Sequence, residues 1–179
     1  MTTRSGLEAR LEIIGTDAAD LSEVRRTGRD VLGNPVEPFV DTEGGWPVRC
    51  CLRDSRPGEV LAIIAWCPFD WRGPFAEVGP IVVHHEGCAP VTLASVPVAF
   101  LDRQQVVRPY GADHRLDYDH ARVVAGDGSL PEVLDDLLGL PAIEMVVARN
   151  AVAGCFSFTA RRPLSGSGAL PPPRCSDST

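Results

Sequence analysis

Residues 75–88 (FAEVGPIVVHHEGC) hold the densest group of chemically reactive side chains in the sequence. Two carboxylates, two imidazoles and a thiol surround a short run of β-branched residues, a composition that favours a β-strand. A strand that ends in titratable groups directs each of them to a defined face, because side chains alternate along a strand. His84 then shares a face with Val82 and Glu86, and His85 points to the opposite face.

His84 is the residue best suited to general acid–base catalysis, since an imidazole titrates near neutral pH and a neighbouring carboxylate fixes its tautomer. The two carboxylates that can serve as its partner are Glu77, just before a Gly-Pro turn, and Glu86. The structural alternative is a solvated pair of histidines at the end of a strand, with Glu77 capping a turn through backbone N–H groups.

A metal site is the second chemistry that these side chains allow. His84, His85, Glu86 and Cys88 include the ligand types of zinc, but adjacent ligands on one strand diverge. Only His84 and Cys88 are spaced so that they could converge, and the other ligands would have to come from elsewhere. We therefore expect no metal and no other cofactor, and keep a metal-dependent enzyme using His84 and Cys88 as an alternative.

Two further groups of candidates lie outside this segment. Cys155 follows a glycine and stands near Arg149, which would favour a nucleophilic thiolate, although a free cysteine more commonly packs as a small hydrophobe. Candidates for binding an anionic substrate are arginines with aromatic and amide neighbours, namely Arg49, Arg108, Tyr110, Arg149, Asn150 and Trp71. The structural alternatives are cross-strand ion pairs, a hairpin turn at Asn150 and core packing.

Composition excludes several classes of function. The 179-residue chain has a formal net charge of −7, which argues against nucleic acid or an anionic membrane as a partner, because both require a basic surface. All 17 basic residues are arginine, which excludes Schiff-base chemistry, a lysine general base and a Walker A loop. There is no membrane-spanning apolar run and no Cys-x-x-Cys pair among the six cysteines. The N-terminus carries acids where a signal peptide would be apolar, so we expect no signal peptide. We expect a cytoplasmic protein with free thiols.

Hydrophobic periodicity predicts a single α+β domain over residues 11–162, with a largely antiparallel sheet. Two principal helices are predicted, at about 17–32 and 130–138. Ser129 and Glu132 form a capping box at the start of the second helix. One early helix, one late helix and many strands between them are typical of this fold class.

The strands and the two ends of the chain follow from the same pattern. Strands are predicted over residues 11–14, 48–52, 60–66, 81–85, 101–110, 118–125, 144–149 and 155–161. In the last of them, Phe156 and Phe158 are expected on one face and Cys155 on the other. Residues 1–10 are expected to be a flexible lead, and residues 163–179, rich in Pro, Ser and Gly, a disordered tail.

Several short motifs, taken in order, resemble a known family. They are Arg49-Cys-Cys-Leu-Arg53 with Pro57-Gly-Glu59, Gly79-Pro-Ile-Val-Val-His84 with Cys88, Arg108-x-Tyr110, and Arg149-Asn150 with Gly154-Cys155-Phe156. Together they resemble the bacterial domain-of-unknown-function family 1203 from about residue 11 to residue 162. The resemblance implies one small cytoplasmic domain that usually stands alone, and it implies no particular reaction. His85 and Pro109 depart from the family pattern, which is compatible with a specialised member in a biosynthetic pathway.

These observations leave two main functions open. The favoured one is a small cofactor-free enzyme of the isomerase, cyclase or lyase type. It would act by general acid/base chemistry on a low-molecular-weight metabolite, with an anionic or enolisable substrate held by the arginines. The alternative is a non-catalytic module that binds a small molecule or a protein. The sequence does not set the oligomeric state, and a homodimer is compatible with it.

Overall fold

The strands divide between two sheets in the computed structural model, which describes residues 11–163. The elements in chain order are β1 (Glu12–Ile14), α1 (Ala18–Thr27), β2 (Pro38–Val40), β3 (Pro47–Val48), β4 (Arg53–Asp54), β5 (Val60–Trp66), β6 (Gly79–His84), β7 (Thr92–Leu93), α2 (Val98–Leu101), β8 (Gln105–Tyr110), β9 (Arg122–Val124), α3 (Leu130–Leu138), β10 (Met145–Asn150) and β11 (Phe156–Arg161). The expected flexible lead and, apart from residue 163, the expected disordered tail lie outside the described residues.

Pairing within the sheets is almost entirely antiparallel. The six-stranded sheet has the order β7-β1-β11-β10-β8-β9, and all of its neighbours are antiparallel. The five-stranded sheet has the order β2-β5-β6-β3-β4, in which only β3 and β6 run parallel. The predicted α+β single-domain class is confirmed. The division into two sheets adds a feature that strand patterns alone do not show, because they do not reveal which strands pair.

The buried apolar side chains of these helices and strands form two separate cores. The first lies between the sheets and includes Leu21 and Val24 of α1, with Val48, Leu61, Ile64, Trp66, Ile81, Tyr110, Val147 and Phe156 from the strands. The second lies between the outer face of the six-stranded sheet and α3, and includes Ile13, Phe100, Val107, Leu130, Leu134, Leu137, Val146 and Phe158. The leucines of α3 recur at helical spacing, so one face of the helix is buried against the sheet.

The helices begin and end partly as predicted. α3 has the predicted bounds, but Ser129 makes no capping hydrogen bond to the helix; its hydroxyl donates to Asp127 instead. α1 ends at Thr27, before the predicted residue 32, because Gly28 adopts a left-handed φ of 65° and its N–H closes the last turn on Val24. Among residues 11–163, no helix has the length and apolarity needed to cross a membrane.

Three predicted strands are shorter than the pattern indicated. The predicted strand 101–110 begins only at Gln105, since Val98–Leu101 forms the short helix α2. The strand predicted over 118–125 is reduced to Arg122–Val124. The segment 48–52 is not a continuous strand, because the chain turns back after Val48 and pairs β3 with β4.

A β-bulge overturns the predicted faces of the last strand. The register between β10 and β11 shifts between Ala148 and Arg149, so Phe158 lies opposite Ala148 and Phe156 lies opposite Arg149. Phe156 therefore packs between the sheets, while Phe158 packs in the core under α3. The expectation that both rings share a face is wrong, because the extra residue at the bulge breaks the two-residue alternation.

The link from β1 to α1 rests directly on the β3–β4 loop. A Cβ atom added to Gly15 would overlap the carbonyl oxygen of Arg49, and the next residue, Thr16, donates its backbone N–H to the same oxygen at 3.3 Å. This close approach requires glycine, because any side chain would push the two segments apart.

We expect Gly15→Ala to lower the free energy of unfolding by about 2 kcal/mol or more, because the added methyl group must displace backbone. Urea denaturation measures the change. The matched control is Gly79→Ala, where a Cβ meets no atom within 4 Å and φ is not left-handed. This control should be neutral or slightly stabilising. Equal effects of the two substitutions would contradict the contact.

Candidate metal centre

Four metal-ligand side chains meet where the β3–β4 loop packs against the end of β6. Cys50, Cys51, His84 and Cys88 each offer one ligand atom, and these atoms all lie within 4.8 Å of one another. The Sγ atoms of Cys50 and Cys51 are 3.5 and 3.7 Å from His84 Nδ1, and Cys50 Sγ is 2.9 Å from Cys88 Sγ. Cys50 and His84 are buried, whereas Cys51 and Cys88 are half-buried. We call these four residues the Cys/His cluster.

The two adjacent cysteines reach the cluster because they lie in a tight loop. β3 pairs with β6 in parallel at Val48 and Val82, and the N–H of Arg49 donates to the Val82 carbonyl at 2.8 Å. The chain then turns back into β4 through Leu52, whose φ is +53°. In a strand, Cys50 and Cys51 would point to opposite faces, but in this loop both thiols approach β6.

A carboxylate orients the imidazole of His84. Glu59 Oε2 lies 3.0 Å from His84 Nε2, and Glu59 is itself held by two hydrogen bonds from Arg53, at 2.6 and 3.1 Å. These hydrogen bonds from Arg53 are the main cause that lowers the pKa of Glu59 to about 2, so the carboxylate is ionised and only accepts. Nε2 therefore carries the hydrogen, and the Nδ1 lone pair faces the sulfur atoms.

Arg25 of α1 fixes the segment that carries His84 and Cys88. Its guanidinium donates to the carbonyl oxygens of His84 at 3.0 Å, His85 at 3.1 Å and Cys88 at 2.8 Å. Gly87 supplies the left-handed φ of 71° that the bend between them requires. One charged side chain thus holds three carbonyl groups at the two ends of this bend in place.

The surroundings keep at least two of the thiols protonated when no cation is bound. A hydrogen bond with Cys50, together with burial, raises the pKa of Cys51 far above its ordinary value, and burial raises the pKa of Cys88. A protonated thiol is a poor nucleophile, so these residues are unsuited to covalent catalysis on their own. A bound cation reverses this preference, because it stabilises the thiolate directly.

Two of the three distances within the Cys/His cluster match those of a tetrahedral zinc site. With Zn–S and Zn–N bonds of about 2.3 and 2.0 Å, a tetrahedral site has S···N separations of roughly 3.5 Å and S···S separations of roughly 3.8 Å. Both distances from sulfur to His84 Nδ1, 3.5 and 3.7 Å, agree with this geometry. The pair Cys50–Cys88, at 2.9 Å, would open by about 0.9 Å to admit an ion.

The fold brings further metal ligands to His84 and Cys88. Of His84, His85, Glu86 and Cys88, only His84 and Cys88 were expected to converge, and the other ligands had to come from elsewhere in the chain. Cys50 and Cys51 come from a different part of the chain and complete a set of four ligands. Cys88 accordingly lies in the cluster, while His85 is outside it and half-exposed beside Glu86.

The predicted catalytic residues do not meet in one place. Neither expected partner bonds His84: Glu86 is exposed and lies 3.9 Å from His85, and Glu77 lies beyond the opposite end of β6. There Glu77 pairs with Arg108 and, at 2.9 Å, with Arg149. Glu59 takes the place that was predicted for Glu77 or Glu86.

Other predicted site residues have structural contacts, and their roles in binding or catalysis stay predictions. Arg49 is buried and donates to the carbonyls of Pro47 and Phe156 and, at 3.3 Å, to the Sγ of Cys155. Asn150 Oδ1 accepts two backbone N–H bonds within the β10–β11 turn. Trp71 is buried and stacks on the His114 ring at 4.6 Å.

Five residues of this site were not predicted from the sequence: Cys50, Cys51, Glu59, Arg53 and Arg25. The adjacent cysteines, together with His84 and Cys88, have the composition of a Cys3His site, which is the signal that could have identified the first two. Glu59 and Arg25 gave no such signal. They lie 25 and 59 positions from His84 in the sequence and meet it only through the fold.

We expect Arg25→Met to loosen the bend between His84 and Cys88, because three carbonyl oxygens lose their charged donor. The free energy of unfolding should fall by about 2 kcal/mol, and amide hydrogen exchange over residues 84–88 should accelerate. Arg26→Met, in the same helix, is the control, since Arg26 pairs at the surface with Glu23 and should alter neither measurement. If exchange over residues 84–88 is the same in both variants, Arg25 does not hold the bend.

A family model matches the part of the chain that contains this site. Residues 45–162 match the model of the DUF1203 family, which is described as "Protein of unknown function". This range contains the whole Cys/His cluster and Glu59. No match was found among curated proteins or among solved structures. Because the match covers most of the sequence, the chain belongs to the DUF1203 family.

Proposed function

We propose that this protein is a metal-binding domain whose Cys/His cluster holds one Zn²⁺ ion. The observation that carries the proposal is the convergence of three thiols and one imidazole nitrogen within 4.8 Å. Thiolate and imidazole ligands select Zn²⁺ over the hard cations Mg²⁺ and Ca²⁺. A Cys3His set that uses four protein ligands is the composition of a structural zinc site.

The ion would join parts of the chain that are distant in sequence. Two ligands come from the β3–β4 loop and two from the end of β6 and the bend after it, which α1 holds through Arg25. A metal bound only by the folded chain adds its binding free energy to folding stability. We place the protein in the cytoplasm, where reducing conditions keep the thiols available to the ion.

Purified under reducing conditions, the full chain should contain one Zn²⁺ per molecule by elemental analysis. Co²⁺ substituted for it should give the intense absorption of a tetrahedral thiolate site. Cys51→Ser and Cys88→Ser should weaken metal binding by roughly a hundredfold or more, because a ligand is lost. Saturation at about a thousand times Kd should raise the free energy of unfolding by about 4 kcal/mol.

Cys67→Ser is the control for this measurement. Cys67 is buried, and its thiol donates to the carbonyl of Phe69 rather than facing the cluster. This variant should bind Zn²⁺ as the unmodified chain does. The proposal is wrong if the chain takes up no stoichiometric Zn²⁺, or if Cys67→Ser loses as much metal as Cys51→Ser.

Glu59→Gln should lower Zn²⁺ affinity about 10–100-fold, since an amide orients His84 and supports its basicity less well than a carboxylate. Competition with a chromophoric chelator measures the affinity. Glu86→Gln tests the partner predicted from the sequence. Glu86 is exposed and contacts His85, so its replacement should leave affinity unchanged. Equal losses in the two variants would show that Glu59 has no special role.

A second candidate function is the acid/base enzyme predicted from the sequence. It is favoured by an open depression of about 450 Å³ lined by Glu59, Val60, His84, His85 and Glu86, where a small metabolite has access to the His84–Glu59 pair. In that function Glu59, rather than Glu77 or Glu86, is the partner of His84. The two candidates compete for Nδ1, so stoichiometric zinc that is lost in His84→Ala would exclude the enzyme.

A further inference from the structure

A second polar cluster lies beyond the opposite end of β6. Glu77 bridges two arginines of the six-stranded sheet, with Oε1 on Arg108 and Oε2 at 2.9 Å from Arg149. Tyr110 lies beside them, with the Arg108 guanidinium 6.0 Å from the centre of its ring. We call Arg108, Tyr110 and Arg149 the arginine clamp. Because β6 separates it from the Cys/His cluster by roughly 17 Å, the clamp is independent of the proposed metal.

The clamp carries more positive charge than Glu77 neutralises. Two guanidinium groups face one carboxylate, and within residues 11–163 no second carboxylate pairs with either arginine. Both side chains are largely removed from water, with 20% of Arg108 and 9% of Arg149 exposed. An excess charge at such a site attracts an anion more strongly than it would at the surface, because solvent screens it less.

Hydrogen-bond donors of the clamp also lack acceptors. The hydroxyl of Tyr110 and the Nε of Arg149 have no hydrogen-bond partner among residues 11–163, and both residues are at least nine-tenths buried. Arg149 NH2 is close to Glu77 Oε2 but lacks hydrogen-bond alignment with it. Burial raises the pKa of Tyr110, so its hydroxyl keeps its proton and remains a donor. Buried polar groups are rarely left in this state.

We propose that the arginine clamp is a binding site for a small carboxylate, which enters in competition with Glu77. The position of Glu77 shows that one carboxylate can place an oxygen on each arginine. Glu77 is 37% exposed and precedes β6 in a segment without regular secondary structure, so it can move into solvent. An incoming carboxylate gains the hydrogen bonds of Tyr110 and Arg149 Nε that Glu77 leaves unmade.

The test is calorimetric titration of the full chain with malonate, compared with chloride and inorganic phosphate at equal ionic strength. Malonate should bind the unmodified chain. Glu77→Gln should bind it about tenfold more tightly, because the competing charge is gone. Tyr110→Phe should bind about fivefold more weakly, and Arg149→Gln about a hundredfold more weakly.

Controls keep the outcomes distinct. Arg122→Gln removes an exposed arginine of β9 outside the clamp and should bind malonate as the unmodified chain does. Tyr110→Phe keeps the ring and loses only a hydroxyl that has no partner in the described part of the chain, so it should remain folded even if Arg149→Gln does not. Cys51→Ser should retain malonate binding, which separates this proposal from the metal.

Absence of malonate binding, or unchanged affinity in Glu77→Gln and Tyr110→Phe, overturns the proposal. Equal binding of phosphate overturns the carboxylate assignment.

Discussion

The guanidinium of Arg49 is buried between the two sheets, and its hydrogen bonds connect them. It donates to Pro47 in one sheet and to Phe156 in the other, while its backbone N–H and C=O bond Val82 and Thr16. Burial lowers the pKa of this arginine, so the acceptors around it must compensate for lost hydration. Since Cys50 is the next residue, the position of the Cys/His cluster follows directly from this contact.

β6 determines how the polar chemistry of the molecule is distributed. The sequence places acids, imidazoles and a thiol within fourteen residues, but the strand keeps the two ends of that segment apart. At one end, His84 lies close to Cys50 and Cys51 of the neighbouring loop. Before the other end, Glu77 pairs with two arginines of the facing sheet. This strand therefore has two polar groupings of different chemistry at its ends, thiols with an imidazole at one end and arginines paired with Glu77 at the other.

Local patterns predicted the parts of this fold that depend on local physics. α3 and β5 have the expected bounds, because α3 has apolar residues at helical spacing, β5 is a continuous apolar run, and glycine or proline follows each of them. The loop of Cys50 and Cys51 was not predicted. Its turn depends on a left-handed φ at Leu52, whereas glycine or asparagine is the usual sequence signal for such a φ. The bulge in β11 opposite Ala148 and Arg149 was not predicted, because register depends on the partner strand.

The position of β1 has a consequence for how the chain reaches this structure. β1 lies between β7 and β11, so residues near 13 must pair with residues near 160 before the six-stranded sheet is complete. Pairings between such distant segments make folding slow, because a long loop must close before its contacts contribute. During synthesis β1 leaves the ribosome early and remains exposed on one edge until β11 follows. The interval before β11 emerges is thus the stage at which the nascent chain is most exposed to aggregation.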